Sequence, residues 1–268
     1  MSKHLTVIIT TALAASIVLI SLIAPFIAPN DPYKTDFKSV LAEPNDEYPL
    51  GTDQVGRCIL SRILYGANVS LSITFALLSL VFVSGVTIGI VSGMKGGIVD
   101  DILMRLADIV LAFPDIVLVI AIVGVMGSSV SNMIIGLSLV WWTKYARLTR
   151  VSVMKAKGNI YVSAARMAGA SDLKLITHYI LPNIATALIV QLVLDISGML
   201  LAISSMSFLG LGVQPPTPEW GNMLNEGRSY FQTAPWLLTY PGLAIFITVA
   251  VFNLLGDGVR EILSREQA

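Results

Sequence analysis

Apolar runs long enough to cross a membrane alternate with short polar stretches along this chain. Residues 5–28 are an uncharged run of 24 positions. At about 1.5 Å of rise per residue, a helix of that length crosses a hydrocarbon core of about 30 Å. The small residues of APFIA (24–28) offer a cleavage site, but the run exceeds the about 7–15 apolar positions of a secretory signal. A retained first helix is the preferred reading. The second span is expected at 71–93, where Gly85, Gly89 and Gly93 recur every four residues. Such a stripe suits close helix packing. A third span is expected at about 104–125 with a kink at Pro114, followed by a tight polar turn at 127–132. The fourth opens at 133–142 and must extend through 143–148, with Trp141, Trp142 and Tyr145 as an interfacial belt. The fifth and sixth are expected at 184–211 and 238–255. The pattern predicts an all-α polytopic membrane protein with six transmembrane helices.

The polar stretches differ in character. Residues 30–70 are acidic and proline-rich, with Asp53 expected to cap a short amphipathic helix over 55–67. Lys95, Gly96 and Gly97 form a turn; 212–237 is a proline-rich loop and 257–268 a polar tail. The longest polar interruption in the second half is 144–183, carrying seven cations against one acid, Asp172. Within it, 161–183 predicts helix, turn, helix: Ala164, Ala165, Arg166, Met167 and Ala168 favour helix, Gly169 breaks it, 173–181 resumes it and Pro182 stops it. A short helix with small residues on its face would fit a groove in a partner; an ordinary solvated loop helix is the alternative. This organises the chain as a first helix with an acidic outer segment (1–70) and a five-helix core (71–268) bearing the basic loop 144–183.

Charge supplies the orientation. With six spans, both termini share a side, and twelve of the seventeen Lys and Arg fall there: Lys3, Lys95, Arg105, the seven of the basic loop, Arg260 and Arg265. Lys34, Lys38, Arg57, Arg62 and Arg228 fall opposite. The positive-inside rule places both termini and the basic loop in the cytoplasm. Composition agrees with a multi-pass cell-membrane protein embedded in the bilayer. The 268 residues are 55% hydrophobic and 13% charged, against about 25% charged in soluble domains. Net charge is zero, so nothing points to nucleic acid. Cys58 is the single cysteine, which excludes an intrachain disulfide and a cysteine-based metal cluster.

The motifs of chemistry are absent. The sequence holds no Walker-type phosphate loop and no H-E-x-x-H zinc motif, and His4 and His178 lie far apart. Intramembrane charge is the informative remainder. Asp195 lies near the middle of the fifth span, with Gln191 and Met199 four residues to either side on one helix face, and Met206 recurs on nearly the same stripe. An ionisable group at that depth lines a pathway or bonds a neighbouring helix. Asp108 and Asp115 are weaker candidates of the same kind.

Four stretches carry a family resemblance: LGTDQVGRCILSR at 50–62, YVSAAR through Gly169 to LPN at 161–183, SFLGLGVQPPTPEWG at 207–221, and Pro241-Gly242 with FNLLGD at 252–257. Together they resemble the transmembrane permease subunits of binding-protein-dependent ABC importers, and within these the C-type subunit of the peptide/nickel class. Two departures stand out: Ser163 replaces the usual acid of the EAA loop, and Cys58 stands where Asp is usual.

The resemblance implies the type I importer permease fold, in a transport subunit rather than an enzyme. It implies that Tyr161, Ala164, Ala165, Arg166, Gly169 and Ala170 couple to a cytoplasmic ATPase. It also implies a homologous second permease, two ATPase subunits that carry the ATP and magnesium (none in this chain), and an extracellular solute-binding protein meeting 30–70 and 212–237. The segment around Asp195, Met199 and Met206 looks more like the nickel-type members, so nickel or a metal–chelator complex is expected. Di- or oligopeptide import is the alternative. A proton-coupled secondary transporter using Asp195, and a membrane enzyme or scaffold, are readings of other classes.

Overall fold

The computed structural model describes residues 3–265. Positions 266–268 of the expected tail, and the side chains of Lys3, His4, Ser264 and Arg265, lie outside the described residues. The described chain is helical: α1 (Lys3–Ile27), α2 (Ile59–Lys95), α3 (Gly97–Leu111), α4 (Asp115–Met126), α5 (Val130–Lys157), α6 (Ile160–Met167), α7 (Asp172–Lys174), a π-helical turn (Leu175–Ile180), α8 (Leu181–Phe208), α9 (Trp220–Gly227) and α10 (Trp236–Arg265).

Four helical stretches are long and apolar enough to cross a membrane: Leu5–Ile27, Ile59–Lys95, Asp172–Phe208 and Trp236–Leu263. The broken pair α3–α4 makes a fifth if counted as one. At 28 residues α5 extends about 42 Å, but its second half carries Lys144, Arg147, Arg150, Lys155 and Lys157.

The glycine stripe does what its spacing predicts. A Cβ on Gly85 would lie 2.5 Å from Tyr145 Cβ, and one on Gly89 would lie 2.5 Å from Thr149 Cβ, so α2 and α5 touch backbone to backbone. Leu77, Val81, Val119, Val123, Met133, Val153 and Ile203 fill the core with no exposure. Phe26, Ile98, Val125 and Phe246 stand outward, so the exterior is apolar too, as helices facing lipid require.

Several boundaries differ from expectation, each for a local reason. The third span is not kinked but broken, α3 and α4 meeting at 88°. Pro114 lacks an N–H and sits in extended backbone before α4, so the turn cannot continue through it. The separate amphipathic helix over 55–67 is absent: α2 begins at Ile59 and runs across position 70 without interruption. Asp53 caps a turn instead, accepting the backbone N–H of Val55 at 3.0 Å and of Arg57 at 2.9 Å. Pro182 does not stop its helix. It occupies the first turn of α8, where a missing N–H is tolerated, directly after the π-helical turn. The first fourteen residues of the basic stretch, 144–157, belong to α5 rather than to a loop. The loop 212–237 contains α9, whose Trp220 and Met223 are buried, and the polar tail continues α10.

Candidate functional site

The loop after α5 is rigid by construction. Helix α6 ends in a Schellman motif: the Ala170 N–H bonds the Ala165 carbonyl and the Gly169 N–H bonds the Arg166 carbonyl, each at 3.0 Å. Gly169 has φ +85°, which a side chain rarely adopts. The Ser171 hydroxyl accepts the Lys174 N–H, and an exposed Arg166–Asp172 pair at 3.0 Å bridges the turn. The Tyr161 hydroxyl accepts amide protons from Asn183 at 2.6 Å and Asn159 at 3.1 Å, tying α6 to the base of α8. Val162 and Ala165 point inward onto the core that includes Leu175 and Ile180, while Ile160, Tyr161, Ala164, Met167 and Leu173 are exposed. An apolar ridge is thus held outward on a fixed turn. Ala165 supports the loop from inside and Ala170 packs partly against the same core, unlike the other residues expected to couple. Ser163 is exposed, and His178 is a surface residue hydrogen-bonded to Thr177.

A cavity of about 540 Å³ opens between α5 and α8. Asp195, Lys144, Arg147, Asp115, Trp141, Tyr145, Gly198 and Met199 contribute to its lining. Asp195 Oδ1 receives the Lys144 ammonium at 2.5 Å and the Gln191 amide at 3.0 Å. Asp115 accepts the Ile116 N–H at the start of α4. Gln191, Asp195 and Met199 therefore come together as their spacing predicts. Met206 does not reach this cavity; it is buried in the core beside a far smaller one.

Lys144 is the residue that sequence reasoning left out of the site: the fourth span was extended through it, but nothing along the chain paired it with Asp195. The signal was present: Lys144, Arg147 and Arg150 recur every three residues on α5, and pair respectively with Asp195, Asp108 and Asp100.

A third group of charges lies at the opposite end of α2 from the α5–α6 loop. Arg57 bonds Asp53 at 2.5 Å and Glu226 at 2.8 Å; Arg62 bonds Glu226 at 2.7 Å and the Pro216 carbonyl at 3.2 Å. Burial pulls the Arg57 guanidinium down, but the neighbouring Asp53 and Glu226 outweigh it and hold it above its ordinary value. Glu219 is fully buried; burial raises its carboxyl above the usual range against the opposing bonds from the Gly221 and Asn222 N–H groups and the Ser207 and Ser70 hydroxyls. Segments 50–62 and 207–221, far apart in sequence, meet here. Cys58 is buried beside this group and leaves the first turn of α2 without a side-chain cap.

The family model of the binding-protein-dependent transport system inner membrane component matches residues 85–267. The chain belongs to this family.

Among its relatives, the dipeptide transport system permease protein DppC of Haemophilus influenzae is 43% identical over 92% of this chain and 86% of its own. The nickel transport system permease protein NikC of Escherichia coli K12 is 39% identical over 98% and 95%. A chain of the MetNI methionine ABC transporter, solved in inward-facing conformations, matches with a TM-score of 0.59 at 16% identity, covering 76% of this chain and 95% of that one. That likeness supports the fold. The protein is thus an inner-membrane permease subunit of the peptide/nickel class of ABC importers, a transport component and not an enzyme.

Proposed function

We propose that this permease forms one wall of an import pathway through the α5–α8 cavity and is driven from the cytoplasm through the α6 loop. The observation that carries the reading is the exposed ridge of Ile160, Met167 and Leu173 on a turn closed by Gly169. An apolar ridge presented on a rigid turn fits a groove on a partner. Residues 161–173 would seat in an ATPase subunit, with small Ala164 and Ala170 permitting close approach and Arg166 holding the turn. Two ATPases carrying ATP and magnesium, a homologous second permease and an extracellular binding protein complete the assembly.

The six-crossing arrangement with cytoplasmic termini, and the division into 1–70 and 71–268, remain part of this proposal. It puts the Arg57–Arg62–Glu226 group at the outer face.

For the solute, the cavity offers two carboxylates beside two cations. That lining favours a solute bearing both charges: a small peptide, or nickel carried by a chelator that has its own carboxylates. A bare divalent ion would be repelled by Lys144 and Arg147.

The test is a Gly169→Asp variant expressed with the partner subunits. ATPase subunits should fail to copurify, or ATP hydrolysis should uncouple from uptake. Normal transport would remove the loop from the mechanism. Uptake of labelled dialanine against a radioactive nickel–histidine complex decides between the solutes.

A further inference from the structure

Asp195 is satisfied on one side only. Oδ1 takes both the Lys144 ammonium and the Gln191 amide, while Oδ2 is sealed from solvent without a hydrogen-bond partner. The Tyr145 hydroxyl, in a residue 1% exposed, has no partner at full hydrogen-bonding geometry and leans on the same carboxylate. A buried carboxylate oxygen and a buried hydroxyl with only an imperfect contact to each other carry a desolvation cost that a cationic donor would relieve.

The cavity has room for that donor. Gly198 follows Asp195 by three residues, lines the same space, and a Cβ there would meet nothing within 4 Å. The present partner is well placed to leave. The Lys144 side chain is 57% exposed against 14% for Asp195, so the ammonium approaches from the open side on a flexible stem. Ion pairs with one partner in solvent are weak and exchange readily.

Resting on the pathway reading above, we propose that the Asp195 carboxylate and the Tyr145 hydroxyl form a subsite for a cationic group of the solute, and that Lys144 is a tethered counter-ion which the solute displaces. The exchange is ion for ion and no covalent bond changes. Asp195 keeps a positive partner throughout, with Gln191 fixing the carboxylate. The released Lys144 ammonium then faces the anionic part of the same solute. The site therefore selects solutes that bring their own cation.

The experiment uses the full transporter with its partner permease, ATPases and binding protein in vesicles, with dialanine and nickel–histidine as probes. Asp195→Asn should lower the uptake of whichever probe the wild type imports by more than about tenfold, and Lys144→Met by about threefold, since the carboxylate that binds the cationic group remains and only the contact to the anionic part is lost. The decisive variant is the swap, Lys144→Asp with Asp195→Lys. It restores an ion pair but inverts the subsite, so the assembly should copurify with its ATPases and hydrolyse ATP while uptake stays as low as in Asp195→Asn. A strut that merely joins α5 to α8 predicts recovery by the swap, and that recovery would overturn the subsite. Equal losses in Lys144→Met and Asp195→Asn would overturn it also, which keeps the test decisive if the swap does not assemble. Full uptake by both Asp195→Asn and Lys144→Met would instead overturn the pathway reading and the subsite with it.

Discussion

Two clusters of opposite charge sit at different heights of this permease, and they are built differently. In the Arg57–Arg62–Glu226 group the cations are nearly sealed, and Arg62 is 1% exposed with bonds to Glu226 and two backbone carbonyls. At the cavity, Lys144 is more than half exposed and Asp195 has one oxygen without a partner. A fully bonded, buried network fixes geometry, because losing one member strands the others without water. A half-bonded pair at a cavity wall retains capacity for a ligand. The same residue types are thus fully bonded at one height and, in the proposed subsite, left open to a solute at the other.

The sharpest way to break this contrast is at Arg62. Arg62→Met leaves Glu226 and Asp53 short of a buried partner at a cost of about 3–5 kcal/mol, so little folded protein should reach the membrane. Abundance by immunoblot and size-exclusion profile check it. A well-folded Arg62→Met protein would show the group to be dispensable. Asp195→Asn should do the reverse, leaving abundance and melting temperature near wild type while uptake collapses.

A smaller effect is expected at Gly169→Ala. No atom lies within 4 Å of the added Cβ, so the cost is the φ of +85° alone, about 1 kcal/mol. It should weaken ATPase association modestly, measurable by pull-down. Smaller again is Arg166→Ala. Both partners of the Arg166–Asp172 pair are exposed, so stability should move by under about 1 kcal/mol.

Glu219 gives the finest test. Its carboxyl is raised on folding, so its contribution is full below the unfolded value and shrinks as pH rises through the folded one. Wild type should lose a little thermal stability with rising pH over that window, and Glu219→Gln should flatten the slope.

Much of this architecture was readable in the pattern. Uninterrupted apolar runs marked the four long apolar helices because hydrocarbon tolerates only internally bonded backbone. The four-residue glycine period gave the α2–α5 contact because that spacing returns to one helix face. Gly169 gave the end of α6. The break at Pro114 was read as a kink, because a proline reports that a helix is interrupted but not the angle at which its halves then pack. Pro182 misled for a related reason: the π-helical turn before it absorbs the missing N–H, and no local signal announces that turn.

The candidate site was half legible. Gln191, Asp195 and Met199 share a face by spacing alone, but Lys144 is 51 positions from Asp195. Nothing local links them, and the cation lies where the expected fourth span runs into the basic stretch.

By itself, then, the sequence determined what lies within one helix or one turn: the long apolar helices, the small-residue stripe, the Gly169 turn and the family motifs. Tertiary structure decided what depends on two helices meeting. It made Lys144 the counter-ion of Asp195, closed Arg62 onto Glu226 and turned Ala165 inward while Met167 faces out. The physical reason is range. Backbone sterics and side-chain periodicity act over a few residues, whereas charge pairing and burial are set by how helices pack, and that packing is a property of the whole chain.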